Sequence, residues 1–379
     1  MLTIAVIFTN YGPYHFSRLI AFQKLCHQLK WNTLGIELAR SQIEYAWKTQ
    51  LENFDCRLVT VIQNQPLEEV PLILLSNKIF GVLSQINPDV VAICGYEPMM
   101  LSALVWSCWN RKPAILLSAS KEDDAPRIGW RETVKHWIIK GYKAALVGGQ
   151  PQKRYLTKLG MNVDSVFLGY NVVGNDNFHP DKIKSLVVPN QKPYFLAINR
   201  FIPKKNLLGL LSSYAIYHQI VGSDAWDLVI CGDGILRPQI EQKIAELDLK
   251  DVVHLPGFLQ QNELLPYLAH AKCFLHASIQ EQWGLVVNEA MAAGLPVIIS
   301  NRCGCFEDLI IEGVNGFGFD PENSQQLTNL MLKMSSGEID LKKMSQAALE
   351  HIQNFSPEYF AQGLKQAVEF AINNYSKTN

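Results

Sequence analysis

The sequence has no strong charge of either sign, since 34 Lys and Arg residues stand against 35 Asp and Glu residues for a net charge of -1. This balance gives no indication of nucleic-acid binding, so any anion site must be local. The sequence also lacks a long hydrophobic run. Its longest membrane-like stretch, residues 99–109, is shorter than the ~20 residues that a membrane span needs. We expect that stretch to form a buried helix.

Regular cysteine spacing is absent as well, which excludes a small disulfide framework and favours a reducing, cytoplasmic environment. The Cys303-Gly304-Cys305 pair has no second pair or histidine cluster near it, so we predict no metal or redox site there. The eight cysteines are at positions 26, 56, 94, 108, 231, 273, 303 and 305.

Residues 1–9 lack a basic leader and a cleavage site, which is not typical of a signal peptide.

A length of 379 residues fits two domains better than one. Short apolar runs alternate with helical patterns on both sides of a polar segment at residues 171–190, which predicts parallel strands joined by helical crossovers. We therefore predict two α/β domains, 1–185 and 186–355, and a closing amphipathic helix within 356–379. The predicted strands cover residues 2–8, 90–94, 114–117, 144–147 and 166–168, then 194–198, 228–231, 252–255, 273–276 and 296–299.

The segment from Ser278 to Pro296 holds two carboxylates, Glu281 and Glu289, on either side of Gly284. A helical run starts near that glycine and ends before Pro296. The N–H groups and positive dipole end of such a helix can hold a diphosphate. Glu289 would lie ~8 Å along the helix at ~1.5 Å per residue. One carboxylate could then meet a sugar and the other a ribose.

A basic element, Asn199 to Asn206, follows one predicted strand and precedes a helix. Negative charge grows on a diphosphate leaving group as its bond to the sugar breaks, so cations aimed at it stabilise the transition state more than the ground state. We assign this function to Arg200 and Lys205. The alternative is a solvated basic turn.

A glycine turn, Gly232-Asp233-Gly234, follows the next strand, where glycine lets backbone approach a ligand. It does not make a dinucleotide fingerprint, because Arg237 stands at the third glycine position and no ribose-binding acid is evident ~20 residues further along the chain. We therefore predict no bound cofactor.

The Ser278 to Pro296 segment resembles the Glu-x7-Glu signature of GT-B glycosyltransferases of the retaining, family-4 type, also called glycosyl transferases group 1. Its Gly-Leu, Glu-Ala-Met-Ala and Gly-Leu-Pro-Val elements match as well, and the Arg200 and Lys205 spacing is similar to the family's Arg-Leu-x3-Lys-Gly element. The resemblance implies that Glu281 binds sugar hydroxyls beside the reacting carbon and that Glu289 binds the ribose. The other implied donor-binding residues are Gly284, Leu285, Trp283, Gln282, Gly232, Gly234 and Phe258.

In the second domain, this chain departs from the family pattern at three positions. Asn199 replaces the usual glycine before Arg200, while Gln282 and Trp283 stand where Gly and Phe are frequent. Sugar choice is therefore not fixed by the resemblance.

In the first domain, Gly12 and His15 resemble the family's first loop, although the usual double glycine is absent. They are candidates for contact with the acceptor or the donor phosphate, and a helix cap or a packed ring is the alternative for His15. Glu122 and Asp123, beside Asp124, are acceptor candidates in a loop where relatives carry a histidine. A solvated turn is the favoured interpretation of these acids.

The resemblance further implies two Rossmann-like domains facing across a cleft, with the closing helix crossing back to the first domain. It implies metal-independent transfer of a hexose-type sugar, with retention, from a nucleoside-diphosphate sugar to a hydroxyl acceptor in polysaccharide, glycolipid or metabolite synthesis. UDP is the default nucleotide from family frequency. The alternatives are a nucleotide-sugar epimerase of the same fold and a catalytically silent binding subunit. No oligomeric state is predicted.

A segment rich in tryptophan and basic residues lies between the acidic loop and the next strand, and includes Trp130 and Trp137. It could form an amphipathic face for an anionic membrane. The favoured interpretation is an ordinary helix that packs inward and leaves a basic side in water, with peripheral contact at the inner face of the membrane as the open alternative.

Overall fold

A computed structural model describes residues 1–41 and 57–375 of the chain. The chain divides into two compact units, one made of Met1–Gly174 with Phe355–Asn379 and the other of Asn175–Asn354. Within the described residues, each unit is built on a single sheet of parallel strands with helices packed against it.

In the first unit, the strands of the described residues lie in the order β3-β2-β1-β4-β5-β6-β7, all parallel. Almost every residue in β1, β4, β5 and β6 is buried, as a sheet covered on both faces requires. The elements are β1 (Thr3–Phe8), α1 (Pro13–Gln28), β2 (Asn32–Ala39), β3 (Leu58–Ile62), α2 (Leu72–Ile86), β4 (Val90–Cys94), α3 (Pro98–Trp109), β5 (Ala114–Ser118), α4 (Gly129–Ile139), β6 (Ala144–Val147), α5 (Gln150–Lys158) and β7 (Val166–Leu168).

The second unit repeats this plan with the strand order β10-β9-β8-β11-β12-β13 over its described residues. The elements are α6 (Pro180–Ile183), β8 (Tyr194–Ile198), α7 (Leu207–Val221), β9 (Asp227–Cys231), α8 (Arg237–Glu246), β10 (Val253–Gly257), α9 (Gln261–His270), β11 (Cys273–His276), α10 (Leu285–Ala292), β12 (Val297–Ser300), α11 (Phe306–Leu309), β13 (Gly316–Phe319), α12 (Ser324–Ser335) and α13 (Leu341–Ile352).

The segment after Gly174 belongs to the second unit, whereas the sequence-based boundary between the two domains was placed after residue 185. Phe178 and Ile183 are buried there, and α6 packs against α9. Apolar side chains therefore hold this segment to the second unit in spite of its polar composition.

The last helix, α14 (Pro357–Tyr375), is part of the first unit. It packs against α1 and lies over β6 and β7. A Cβ atom at Gly363 would stand 2.1 Å from the Leu168 carbonyl oxygen, so only glycine permits this close approach to β7. The apolar residues that α14 adds to the core are Phe360, Ala361, Leu364, Ala367, Val368 and Ala371.

The stretch at residues 99–109 forms α3, but the expectation that this helix is buried is wrong on one side. Met100 and Trp106 are buried, while Val105 and Trp109 are 53% and 83% exposed. No helix among the described residues combines the length and apolar character needed to cross a membrane.

Candidate functional site

Four loops of the second unit meet at the carboxyl edge of its sheet, where open α/β sheets bind ligands. The Phe201 N–H donates to the Asp233 carbonyl oxygen at 2.7 Å, and the Gly232 N–H donates to the Gly257 carbonyl oxygen at 2.7 Å. The Ile279 N–H donates to the Lys204 carbonyl oxygen at 2.9 Å. These bonds join the loops that follow β8, β9, β10 and β11, which hold the residues assigned from the sequence.

The two glycines of the Gly232-Asp233-Gly234 turn are required by the loop beside them. Gly232 has φ +135°, and a Cβ atom there would stand 1.8 Å from the Asn199 carbonyl oxygen. A Cβ atom at Gly234 would stand 2.7 Å from the Phe201 carbonyl oxygen. The turn can therefore approach the β8 loop only as glycine.

Glu281 is at the centre of a cluster of polar side chains. The Lys205 ammonium forms an ion pair with Glu281 Oε2, in which the two side chains are 11% and 13% exposed. The His276 Nε2 atom lies 3.2 Å from the same oxygen. Ser278 Oγ lies 3.2 Å from His276 Nε2 and 3.4 Å from Glu281 Oε2. The cluster joins a cation from the β8 loop to a carboxylate from the β11 loop.

The charge states in this cluster follow from its surroundings. Burial opposes ionisation of Glu281, but the hydrogen bond from His276 and the positive charge of Lys205 outweigh it and hold the pKa of Glu281 well below its usual range. Burial lowers the pKa of His276, which is fully buried. A neutral imidazole next to a carboxylate donates its Nε2–H, so we infer the Nε2–H tautomer for His276.

The helix that follows Glu281 starts where the sequence predicts. Gly284 caps α10 with φ +103°, a conformation that favours glycine, and Leu285 is its first residue. Glu289 lies in the second turn and is 3% exposed. The N-terminal end of α10 therefore lies directly after the Glu281 cluster and supplies a positive dipole end.

The side chains of Gln282 and Trp283 take different positions. Gln282 is exposed. Trp283 is 3% exposed, and its indole N–H donates to Asn288 Oδ1 at 2.8 Å. The Trp283 indole therefore packs inside the unit, and donor contact by Trp283 stays a prediction.

The Cys303-Gly304-Cys305 loop holds the Glu281 loop through its backbone. The Gly304 N–H donates to the Glu281 carbonyl oxygen and the Cys305 N–H to the Trp283 carbonyl oxygen, each at 3.2 Å. Both cysteines are buried, and burial raises the pKa of the Cys305 thiol.

None of the seven cysteines that the structure describes forms a disulfide. Cys56, the eighth, lies outside the described residues. Within 1–41 and 57–375, no three His, Cys, Asp or Glu side chains are grouped in a way that could hold a metal ion.

Arg200 and Phe258 are two further exposed residues of the predicted site. Arg200 follows Asn199 directly after β8, and Phe258 follows β10 with 48% of its surface exposed. Asn199 is 7% exposed, and its side-chain oxygen and nitrogen have no hydrogen-bond partner. A buried amide without partners is unfavourable, so this edge of the sheet has hydrogen-bonding capacity to offer a ligand.

In the first unit, Gly12 and His15 lie at the start of α1. The Gly12 N–H donates to His15 Nδ1 at 3.3 Å. Burial, with a smaller contribution from the charge of Arg18, lowers the pKa of His15 to about 3, so the ring is neutral. Behind this loop, the Tyr11 N–H donates to Glu37 Oε2 at 3.1 Å. His15 thus caps the helix, and contact with the acceptor or the donor phosphate stays a prediction.

Glu122 and Asp123 are engaged in local ion pairs. Glu122 pairs with Lys158, and Asp123 Oδ1 lies 2.5 Å from Lys121 Nζ. Both carboxylates are more than half exposed. This geometry suits the solvated turn, and their function as acceptor contacts stays a prediction.

Three residues of this site were missed by sequence reasoning, namely His276, Ser278 and Asn288. His276 is the clearest case, because a polar residue ends a buried apolar strand at the carboxyl edge of a parallel sheet. That position alone is a signal for a site residue.

We expect His276→Leu to lower kcat ~10-fold, because Glu281 loses the hydrogen bond that favours its ionised form. The pKa of Glu281 should rise, so the acid limb of the kcat–pH profile should move to higher pH. His276→Gln, which keeps an N–H donor, should restore most of the activity and the original limb. A profile that shifts equally in both variants would show that His276 acts only through packing.

A scan against protein-family models matches residues 179–351 to the family described as glycosyl transferases group 1. Among curated proteins, the chain is 28% identical over 226 residues to the amylovoran biosynthesis glycosyltransferase AmsK of Erwinia amylovora, covering 58% of this chain and 51% of that protein. It is 25% identical over 218 residues to the human alpha-1,3/1,6-mannosyltransferase ALG2, covering 54% and 52%. The chain thus spans about half the length of these relatives.

Solved structures match over nearly the whole chain. A glycosyltransferase from Rickettsia africae ESF-5 has a TM-score of 0.77 at 18% identity, covering 98% of this chain and 99% of that one. Anabaena HepE in complex with UDP and glucose has a TM-score of 0.76 at 19% identity, covering 97% and 100%. At these identities the likeness shows the fold, which is GT-B. The predicted fold class and the predicted family resemblance are confirmed.

Proposed function

Since the chain carries a glycosyl transferases group 1 domain over residues 179–351, we propose that it is a retaining, metal-independent glycosyltransferase. It moves a hexose-type sugar from a nucleoside-diphosphate sugar to a hydroxyl acceptor. The observation that supports this most is the Lys205–Glu281 pair immediately before the N-terminal end of α10. At one sheet edge, the cation and the helix end suit the diphosphate of such a donor, and the carboxylate suits its sugar hydroxyls.

The donor's diphosphate is assigned to Lys205, Arg200 and the start of α10. A lysine ammonium has three N–H donors, so Lys205 can keep its bond to Glu281 and still donate to phosphate oxygens. Glu281 is assigned to the sugar hydroxyls beside the reacting carbon, and Glu289 to the ribose hydroxyls. Gly232, Gly234 and Phe258 complete the proposed donor site.

The proposed reaction breaks the bond between the anomeric carbon and the diphosphate oxygen. Its electron pair leaves on the diphosphate, where Lys205 and Arg200 stabilise the growing negative charge. The acceptor hydroxyl forms the new bond on the same face of the sugar and passes its proton to a phosphate oxygen. The family resemblance supports this role of the leaving group as the base.

UDP is the proposed nucleotide. Solved structures of similar fold include Anabaena HepE in complex with UDP-glucose, and this supports a UDP-sugar donor here. The relatives named mannosyltransferases leave the sugar open. We place the enzyme in the cytoplasm, which the irregular cysteine spacing of the sequence supports.

The test is a panel of nucleotide sugars screened by thermal shift, followed by product analysis with and without hydroxyl acceptors. A donor at about 100 times its dissociation constant stabilises the folded chain by ~2.7 kcal/mol. Transfer with retained anomeric configuration supports the proposal. Donor turnover without an acceptor would indicate an epimerase, and binding without any turnover would indicate a silent binding subunit.

We expect transfer activity to persist in excess EDTA, because side-chain cations and a helix dipole neutralise the diphosphate. Initial rates measured with EDTA and with added Mg²⁺ or Mn²⁺ should agree within about twofold, since no metal ion enters the transition state. Loss of activity that Mg²⁺ or Mn²⁺ restores would overturn the metal-free assignment.

A further inference from the structure

Helix α4 of the first unit places polar side chains against α5, although Ile138 and Ile139 at its C-terminal end pack into the core. Glu132, Lys135 and His136 all contact α5 or the loop after it. Tyr155 Oη donates to Glu132 Oε2 at 2.7 Å, Lys135 Nζ donates to Tyr155 Oη at 3.0 Å, and His136 Nδ1 lies 2.7 Å from the Leu159 carbonyl oxygen. The inner face of α4 is therefore held by polar bonds.

The opposite face of α4 carries large apolar side chains that are exposed to solvent. Trp130, Val134 and Trp137 are 65%, 47% and 67% exposed, and their i, i+4, i+7 spacing places them on one side of the helix. The sequence-based expectation that the tryptophans pack inward is wrong. Tryptophan side chains are large and favour burial, so this face, the α4 tryptophan face, is suited to being covered.

The charges around this face indicate what covers it. The Arg131 guanidinium lies 5.4 Å from the Trp130 ring centroid, and Lys140 Nζ lies 4.1 Å from the Trp137 ring centroid. Glu132 is the single acid of α4, and it bonds to Lys135 and Tyr155 on the inner side. The outer side is therefore apolar and positively charged.

We propose that the α4 tryptophan face docks on an anionic lipid surface. Indole rings with Arg and Lys beside them suit the headgroup layer, where the rings enter the acyl boundary and the cations meet lipid phosphates. A sugar polymer fits less well, because sugars stack on open indole faces and here a cation lies over each ring. A second copy of the chain would bring the same cations together.

The test is flotation of the full chain, without nucleotide sugar, on vesicles of phosphatidylcholine alone and of phosphatidylcholine mixed with phosphatidylglycerol. We expect binding to the mixed vesicles that weakens with salt. Trp130→Ala with Trp137→Ala should lower the bound-to-free ratio at least ~10-fold. Arg131→Gln with Lys140→Gln should lower it by a similar ~10-fold and remove most of the preference for anionic vesicles.

The matched control is Leu208→Ala with Ile220→Ala on α7, which removes exposed apolar surface from the second unit and should bind vesicles like the original chain. Thermal melting shows whether each variant is folded, and turnover with a water-soluble acceptor should be unchanged. Equal vesicle binding by the original and the tryptophan variant would overturn the proposal. The proposal would also be overturned if the original chain bound no vesicles and the tryptophan variant instead lost self-association or polysaccharide binding. Donor turnover is measured separately, so failure here leaves the proposed transfer reaction untouched.

Discussion

Lys205→Ala should lower kcat/KM at least ~100-fold, equivalent to ~2.7 kcal/mol of transition-state stabilisation. Lys205 is the cation bonded to Glu281, and on our assignment it also meets the leaving diphosphate. Its removal takes away charge stabilisation at the moment when negative charge develops. It also leaves Glu281 with one fewer positive neighbour, so the pKa of Glu281 should rise.

Lys204→Ala is the matched control, because Lys204 precedes Lys205 in the same loop and only its backbone oxygen is bonded to the Glu281 loop. We expect that variant to keep near-original turnover. Steady-state kinetics and thermal melting of both variants make the comparison. A folded Lys205→Ala protein with the original kcat/KM would remove Lys205 from the diphosphate site. Arg200→Ala should show a loss similar to that of Lys205→Ala.

Glu281→Gln should mainly lower the rate of catalysis, whereas Glu289→Gln should mainly weaken nucleotide binding. Glu281 lies in the loop before α10 and is assigned to the sugar near the reacting carbon, so its interaction should strengthen in the transition state. We expect Glu281→Gln to lower kcat more than it weakens UDP binding. Glu289 lies along the helix and is assigned to the ribose, where a charged hydrogen bond contributes about 1.5–3 kcal/mol. Glu289→Gln should therefore weaken UDP binding ~10- to 100-fold.

Calorimetric titration of UDP into both variants, beside steady-state kinetics, separates the two roles. The buried position of Glu289 makes a melting curve necessary as a control for folding. If Glu281→Gln loses affinity for UDP while Glu289→Gln binds it normally, the assignment is reversed. The helix would then present its carboxylates to the donor in the opposite order.

The strands that the sequence predicts all form, because their apolar runs are continuous. Three strands, β2, β3 and β13, were missed. In β2 and β13, close packing replaced apolar residues with glycine or a charged group. Gly35 in β2 faces the Tyr11 ring, and a Cβ atom there would come within 2.8 Å of it. Gly316 in β13 approaches the Val297 carbonyl oxygen, where a Cβ atom would stand at 2.4 Å. In β2, the fully buried Glu37 also breaks the apolar pattern.

The sequence predicts those parts of the site that consist of residues close together along the chain. The order of glycine, carboxylate and helix from Glu281 to Glu289 is a local pattern, and the structure shows the helix start at Gly284. The bond between Lys205 and Glu281 joins residues 76 positions apart, and no spacing in the sequence reveals it. The direction of α4 was missed because hydrophobic periodicity shows which residues share a face but not whether that face points inward.

The return of α14 to the first unit has a consequence for synthesis on the ribosome. One side of the first sheet takes Phe360, Leu364 and Val368 from a helix that is translated only after the entire second unit. Until then, the apolar surface of β6 and β7 that α14 covers stays open to water or to chaperones. The second unit is continuous in sequence and can complete its own core first. Biogenesis should therefore run from the middle of the chain outward, with the first-made strands among the last parts to reach their final packing.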